Sequence, residues 1–158
     1  QRLIDDILSQ SEIDTGTVPV AMTAVQCSQV LEPALQWIKP IAADNQNEVM
    51  VLETQCSAFY ADPRRLTQVL INLFFFAVKY NGQPGRIYVS CIDEGDSVQI
   101  IIRGEGQGRE MKVGEGLAHE APAGLQFCRE IAQRMRADLN VTQTSDKGTM
   151  FTLTLQRA

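Results

Sequence analysis

The sequence predicts an α+β fold: a two-layer sandwich of one mixed, mostly antiparallel sheet with about three helices on one face. Three observations predict it. Alternating segments arrive in pairs joined by turn residues, three helix-period segments are interleaved with them, and no repeat or low-complexity linker divides the chain. With 158 residues, 44% hydrophobic and 21% charged, the composition is that of one globular domain.

The elements follow in order. "QRLIDDILSQSEIDTG" starts without a cap and places Leu3, Ile4, Ile7 and Leu8 at helical spacing, which predicts the end of a longer helix closing at Asp14 and Gly16. "VPVAMTAVQC" reads as a short extended stretch. "SQVLEPALQWIKPIAADNQ" reads as a helix with Val30, Leu31, Leu35, Ile38 and Ile41 on one side and Pro33 expected in its first turn. "EVMVLET" and "SAFYA" are strand candidates. "DPRRLTQVLINLFFFAVKYNG" is the strongest helix, with Asp62 as cap, Pro63 at the first helical position and Gly82 as stop. "GRIYVSCIDEGDSVQIIIRG" predicts a hairpin turning at "DEGD". A glycine-rich stretch from Gly104 to Gly116 leads to a helix over Ala123 to Arg136, and a second hairpin turns near Asp146 to Gly148.

Charge and composition narrow the function. A net charge of -5 leaves no basic stripe to neutralise phosphates, which argues against nucleic-acid binding. No apolar run reaches the roughly 18 residues of a membrane span, and no signal peptide opens the chain, so a cytoplasmic location without membrane contact is expected. Cys27, Cys56, Cys91 and Cys128 are far apart in sequence and sit in apolar surroundings, so they are expected to be reduced core residues and not metal ligands.

Within the strongest helix, a rotation of about 100° per residue groups Leu66, Val69, Leu70, Leu73, Ala77 and Tyr80 into one core-facing arc. Phe74 and Phe76 fall on its shoulders, while Phe75 points nearly opposite, beside Gln68 and Lys79. Asn72, Phe76 and Lys79 recur at i, i+4 and i+7 and line one flank, where a cleft could open. The plainer reading is that Phe74 and Phe76 widen the core contact and Phe75 is an isolated surface aromatic.

"RGEGQGREMKVGEG" could cradle a phosphate through its backbone N–H groups, yet a charged loop follows where a dinucleotide fingerprint would open a helix. Taken alone it reads equally as a surface loop. The single histidine, His119, lies beside Glu120 in that loop with no nucleophile or metal cluster near it in sequence, which predicts a solvated side chain.

In this order the segments resemble the catalytic and ATP-binding domain of sensor histidine kinases, of the Bergerat or GHKL ATPase superfamily. "LIDDILSQSEIDTG" resembles the end of the dimerisation and phosphotransfer helix. "ADPRRLTQVLINLFFFAVKYN" resembles the asparagine-box helix, "VQIIIRGEGQG" and "AGLQFCREIAQRM" the two glycine boxes, and "DKGTMFTLTL" the terminal hairpin. The resemblance implies a division into residues 1–16, the end of the dimerisation helix, and 17–158, the ATPase-like domain. It implies an ATP pocket at Asn72, Phe76, Lys79, Tyr80, Gly104, Gly106, Gly108 and Gly124, and this chain departs from the family there. Phe76 stands where the family holds its Mg²⁺-binding asparagine, and Gly104 where it holds the aspartate that recognises adenine. A glycine of the second box is lost near Pro122, although Gly124 and Leu125 match, and the lid between the boxes shrinks to about fifteen residues. A phenyl ring offers no oxygen to Mg²⁺, and an unmatched polar edge in a pocket costs about 1–3 kcal/mol.

The resemblance therefore implies a degenerate domain of a two-component or phosphorelay protein, unable to bind ATP and acting through protein-protein contacts or as part of a histidine phosphotransferase, with no catalytic residue, metal or cofactor of its own. Its expected partners are a response regulator or a partner kinase. A second copy would pair through Leu3, Ile4, Ile7 and Leu8, and Phe75 would serve as a docking anchor. The alternative is an active divergent kinase that binds ATP and Mg²⁺ through Asn72, Lys79 and the remaining glycines and phosphorylates a histidine upstream of residue 1. An anti-sigma-factor-like serine kinase fits less well, because the opening helix matches a dimerisation hairpin.

Overall fold

The computed structural model describes residues 19–106, 123–143 and 149–158. Leu3, Ile4, Ile7, Leu8, Gly108, His119, Pro122 and the turn near Asp146 lie outside them. Among the described residues the order is β1 (Thr23–Val25), α1 (Cys27–Asp44), β2 (Asn47–Val51), β3 (Phe59–Ala61), α2 (Pro63–Asn81), β4 (Gly85–Glu94), β5 (Ser97–Gly106), α3 (Ala123–Arg134), β6 (Asp138–Gln143) and β7 (Thr149–Gln156). Five strands form one sheet in the order β2-β4-β5-β7-β6, and β1 pairs with β3 apart from it.

Most of this follows from local chemistry. β4 and β5 pair antiparallel in register from Gly85↔Gly106 to Glu94↔Ser97, and Gly95 takes φ 62 at the turn, where a β-carbon would be strained. β6 and β7 also pair antiparallel. β2 runs parallel to β4, which needs a crossover, and β3 and α2 supply it. Alternation buries one face: Ile87, Val89 and Cys91 of β4, Val98, Ile100 and Ile102 of β5, and Phe151, Leu153 and Leu155 of β7. The three helices cover that face, with α2 over β4, β5 and β7, α1 toward β2 and α3 toward β6.

α2 has the expected boundaries. Asp62 Oδ1 accepts from the N–H groups of Arg64 at 3.0 Å and Arg65 at 3.3 Å, Pro63 opens the helix, and Gly82 at φ 79 closes it. Its other oxygen, Oδ2, accepts from Ala21 N–H at 2.8 Å, so the carboxylate also ties the segment before β1 to the helix. Asp62→Ala is expected to lower stability by about 1–2 kcal/mol in urea unfolding, with little change in the slope against urea.

Several expectations are corrected. Pro33 is not in the first turn of α1 but inside the helix, as is Pro40. The helix begins earlier, at Cys27, where Gln29 Oε1 accepts from Gln26 N–H at 2.7 Å. α3 ends at Arg134, before the expected Arg136, which adopts φ 58 and breaks the helix in the left-handed conformation. Phe75 does not point away from the protein: α1 and α3 flank α2, so its ring is half-buried, packs against the core and meets Phe76 edge-on at 6.2 Å.

The cysteines depart furthest from expectation. Cys128 is a buried thiol whose Sγ contacts the Val69 carbonyl at 3.8 Å. Cys27 and Cys91, however, are joined in a disulfide, and Cys56 stands beside them with all three Sγ atoms within 4.8 Å of one another. The start of α1, the segment after β2 and the middle of β4 converge there. Burial, then the Asp93 and Glu53 carboxylates, push the Cys56 thiol above its ordinary pKa, which keeps it protonated at neutral pH. Among the described residues no helix is long and apolar enough to cross a membrane.

Candidate functional site

The implied site lies where α2, the end of β5 and the start of α3 meet. α2 carries Asn72, Phe76, Lys79 and Tyr80, β5 carries Gly104 and Gly106, and Gly124 is in the first turn of α3. The helical register of α2 turns Asn72 and Phe76 inward, leaving them 2% and 6% exposed. Lys79 is exposed, with Nζ 5.6 Å from the ring centre of the half-buried Tyr80.

Phe76 and Gly124 are complementary. A β-carbon on Gly124 would stand 2.7 Å from Phe76 Cζ, closer than real side chains approach, so the ring tip occupies the space above that glycine. The ring thereby closes the gap between α2 and the first turn of α3. An aromatic ring there gives packing area but no lone pair for a hard cation, which takes oxygen ligands.

Gly104 is matched in the same way by a residue the sequence did not single out. A β-carbon on Gly104 would lie 2.5 Å from Asn81 Oδ1, and one on Gly85 would lie 2.5 Å from Asn81 Nδ2. Asn81, 2% exposed at the last position of α2, fills the room that both glycines leave. Its Nδ2 donates to Asn47 Oδ1 at 2.6 Å, with the Arg86 and Glu105 carbonyls at 3.1 and 3.3 Å. Asn47 Nδ2 in turn donates to the Asn45 carbonyl at 2.9 Å and the Gly82 carbonyl at 3.0 Å. The amide orientation is fixed by these partners, because a flip would set Oδ1 against three acceptors. Oδ1 is buried without a donor among the described residues.

The structure thus sets Phe76 against Gly124 and Asn81 against Gly104, buries Asn72 on α2 one turn before Phe76, leaves Lys79 exposed, and sets Gly106 opposite Gly85 in the β4–β5 ladder. Asn47, Asn81 and Gly85 were not anticipated. The available signal was the polar residue Asn81 ending the helix, with glycines at positions 85 and 104 in the strands that follow.

Comparison with known proteins identifies the family and the fold. The model of the family described as histidine kinase-, DNA gyrase B-, and HSP90-like ATPase matches residues 61–158. The circadian input-output histidine kinase CikA of Synechococcus elongatus is 30% identical over 109 residues, covering 67% of this chain but only 14% of that protein. The chain thus spans a small part of that relative. Among solved structures, the Acinetobacter baumannii histidine kinase AdeS superposes with a TM-score of 0.76 at 18% identity, covering 98% of this chain and 77% of the other. The histidine kinase ThkA in complex with the response regulator protein TrrA superposes at 0.75 with 16% identity, covering 99% and 48%. The α+β sandwich with three helices on its sheet is shared with these histidine kinase structures. By the family match over residues 61–158, the chain belongs to the histidine kinase-, DNA gyrase B-, and HSP90-like ATPases.

Proposed function

We propose that this domain is a degenerate member of its family, unable to bind ATP with Mg²⁺, that acts in two-component or phosphorelay signalling through protein contacts. The observation that carries this reading is the Phe76 ring lodged over Gly124, at the position of the family's metal-binding asparagine. Asn81 filling the space beside Gly104 supports it, since a neutral amide that is already committed replaces the aspartate. The residues present therefore do not fit a magnesium nucleotide, and no phosphoryl-transfer step runs through them. An unmatched adenine edge and a missing metal ligand, each at about 1–3 kcal/mol, together weaken ATP by about one to four powers of ten.

On this reading residues 1–16 end a dimerisation helix, with Leu3, Ile4, Ile7 and Leu8 pairing two copies, and 17–158 form the signalling domain. A response regulator or a partner kinase is the proposed ligand, in keeping with ThkA having been solved with its regulator. The half-buried Phe75, which lines a cavity together with Ile41, Asn45, Val78 and Lys79, is the proposed anchor.

A second reading has one observation in its favour. Asn81 Oδ1 is a buried acceptor without a donor, and an adenine amino group could donate to it as it does to the family's aspartate. That reading keeps an active kinase. The experiment that separates the two is incubation of a longer chain, including the upstream helical domain, with labelled ATP and Mg²⁺. The degenerate domain incorporates no label above that of a chain lacking the upstream histidine, whereas Mg²⁺-dependent label on a histidine would establish the active kinase.

A further inference from the structure

We propose that the Cys27, Cys56 and Cys91 cluster, once reduced, is a binding site for a thiophilic cation of the Zn²⁺ class, held by three thiolates with a fourth position open to solvent. This stands independently of the nucleotide reading, since Cys91 pairs with Ile100 in the β4–β5 ladder and Gly104 pairs with Ile87.

The three Sγ atoms lie within 4.8 Å of one another. Tetrahedral zinc with Zn–S bonds of about 2.3 Å sets its sulfurs about 3.8 Å apart, so small side-chain rotations suffice. The Cα atoms of Cys27 and Cys91 are 7.2 Å apart, beyond the usual disulfide range of about 4.4–6.8 Å. A shared ion suits that separation, because each sulfur need only reach the metal. No histidine or carboxylate joins the cluster among the described residues, and an all-sulfur donor set selects soft cations over magnesium or calcium.

The supports are already ordered. Cys27 is the first residue of α1, where unpaired helix N–H groups favour an anionic sulfur. Cys91 is on β4, between β2 and β5. Cys56 sits on a segment fixed to that strand: Cys91 N–H donates to the Glu53 carbonyl at 2.6 Å and Cys56 N–H to the Thr54 carbonyl at 3.1 Å. An entry path exists as well. Cys27 and Cys56 line a cavity of about 600 Å³ together with Glu32, Ser57 and Asp93. Ser57 donates to Asp93 through N–H at 2.9 Å and Oγ at 3.2 Å, which holds a carboxylate at the mouth where it attracts a cation.

The chemistry balances. Two molecules of a small thiol reduce the Cys27–Cys91 bond by exchange and leave joined as their own disulfide, while each cysteine sulfur takes one proton. Metal binding then releases the three thiol protons to solvent, so three thiolates and Zn²⁺ carry a net charge of about -1.

The test uses the whole chain, reduced with a small thiol, desalted under nitrogen, and titrated with Zn²⁺ and separately with Co²⁺. The expected result is one equivalent bound, a sulfur-to-cobalt charge-transfer band, and a zinc-dependent rise in Tm. Cys56→Ser, on a half-buried segment and therefore folded by circular dichroism, is expected to weaken zinc by more than the 10- to 100-fold typical of losing an outer-shell partner. Cys128→Ala keeps the stoichiometry. Absence of binding at micromolar zinc, a cobalt spectrum without the sulfur band, or an affinity unchanged by Cys56→Ser overturns the proposal.

Discussion

Gly124→Ala is expected to destabilise the domain by about 1–3 kcal/mol, the range for overpacking a filled site, although alanine ordinarily favours a helix by up to about 1 kcal/mol over glycine. The sign is decided by Phe76, whose Cζ would lie 2.7 Å from the new β-carbon. Once that ring is removed, the clash is gone and the helix preference remains. In a Phe76→Ala background the same Gly124→Ala change is therefore expected to stabilise by up to about 1 kcal/mol. The double-mutant cycle, measured by urea unfolding, should return a coupling of about 1–4 kcal/mol. A coupling near zero would mean that the ring does not occupy this space in solution.

Gly104→Asp, which on the proposed reading restores the family's aspartate, is expected to lower stability by about 3–5 kcal/mol, the range for a buried charge left without a partner. The new β-carbon meets Asn81 Oδ1, and the carboxylate would face an acceptor whose amide donor is already held by Asn47 and the neighbouring carbonyls. Rotating the amide to serve the carboxylate would break those bonds. Gly104→Asp with Asn81→Ala should recover part of the loss by making room. It follows that Phe76→Asn with Gly104→Asp restores no ATP binding while Asn81 stays in place, which thermal melts and nucleotide titrations on the same variants check together.

Local chemistry made much of the fold legible. The Asp62 cap, Pro63 and Gly82 mark α2 because each satisfies or ends the helix with its own atoms, and "DEGD" announces the β4–β5 turn because Gly95 must take positive φ. Phe76 and Gly104 were singled out from the sequence by their proposed departure from the pattern of the family it resembles. What stayed hidden depends on neighbours distant in sequence. A helical projection treats α2 as having one buried side, and so Phe75 looked exposed; α1, through Ile41 and Asn45, stands beside part of the other. Asn81 was not singled out in the sequence, since its reach to Asn47 exists only after α2 and β2 come together. The cysteines read as separate core residues, because no spacing rule links a helix start, a loop and a strand middle that meet only in the folded chain.

The central claim is that Phe76 and Asn81 have filled the nucleotide site from within. The direct test is a calorimetric titration of the intact chain with ATP, with and without Mg²⁺. The filled site predicts no saturable heat up to millimolar ATP in either condition. A micromolar Kd that weakens when Mg²⁺ is withdrawn would contradict it.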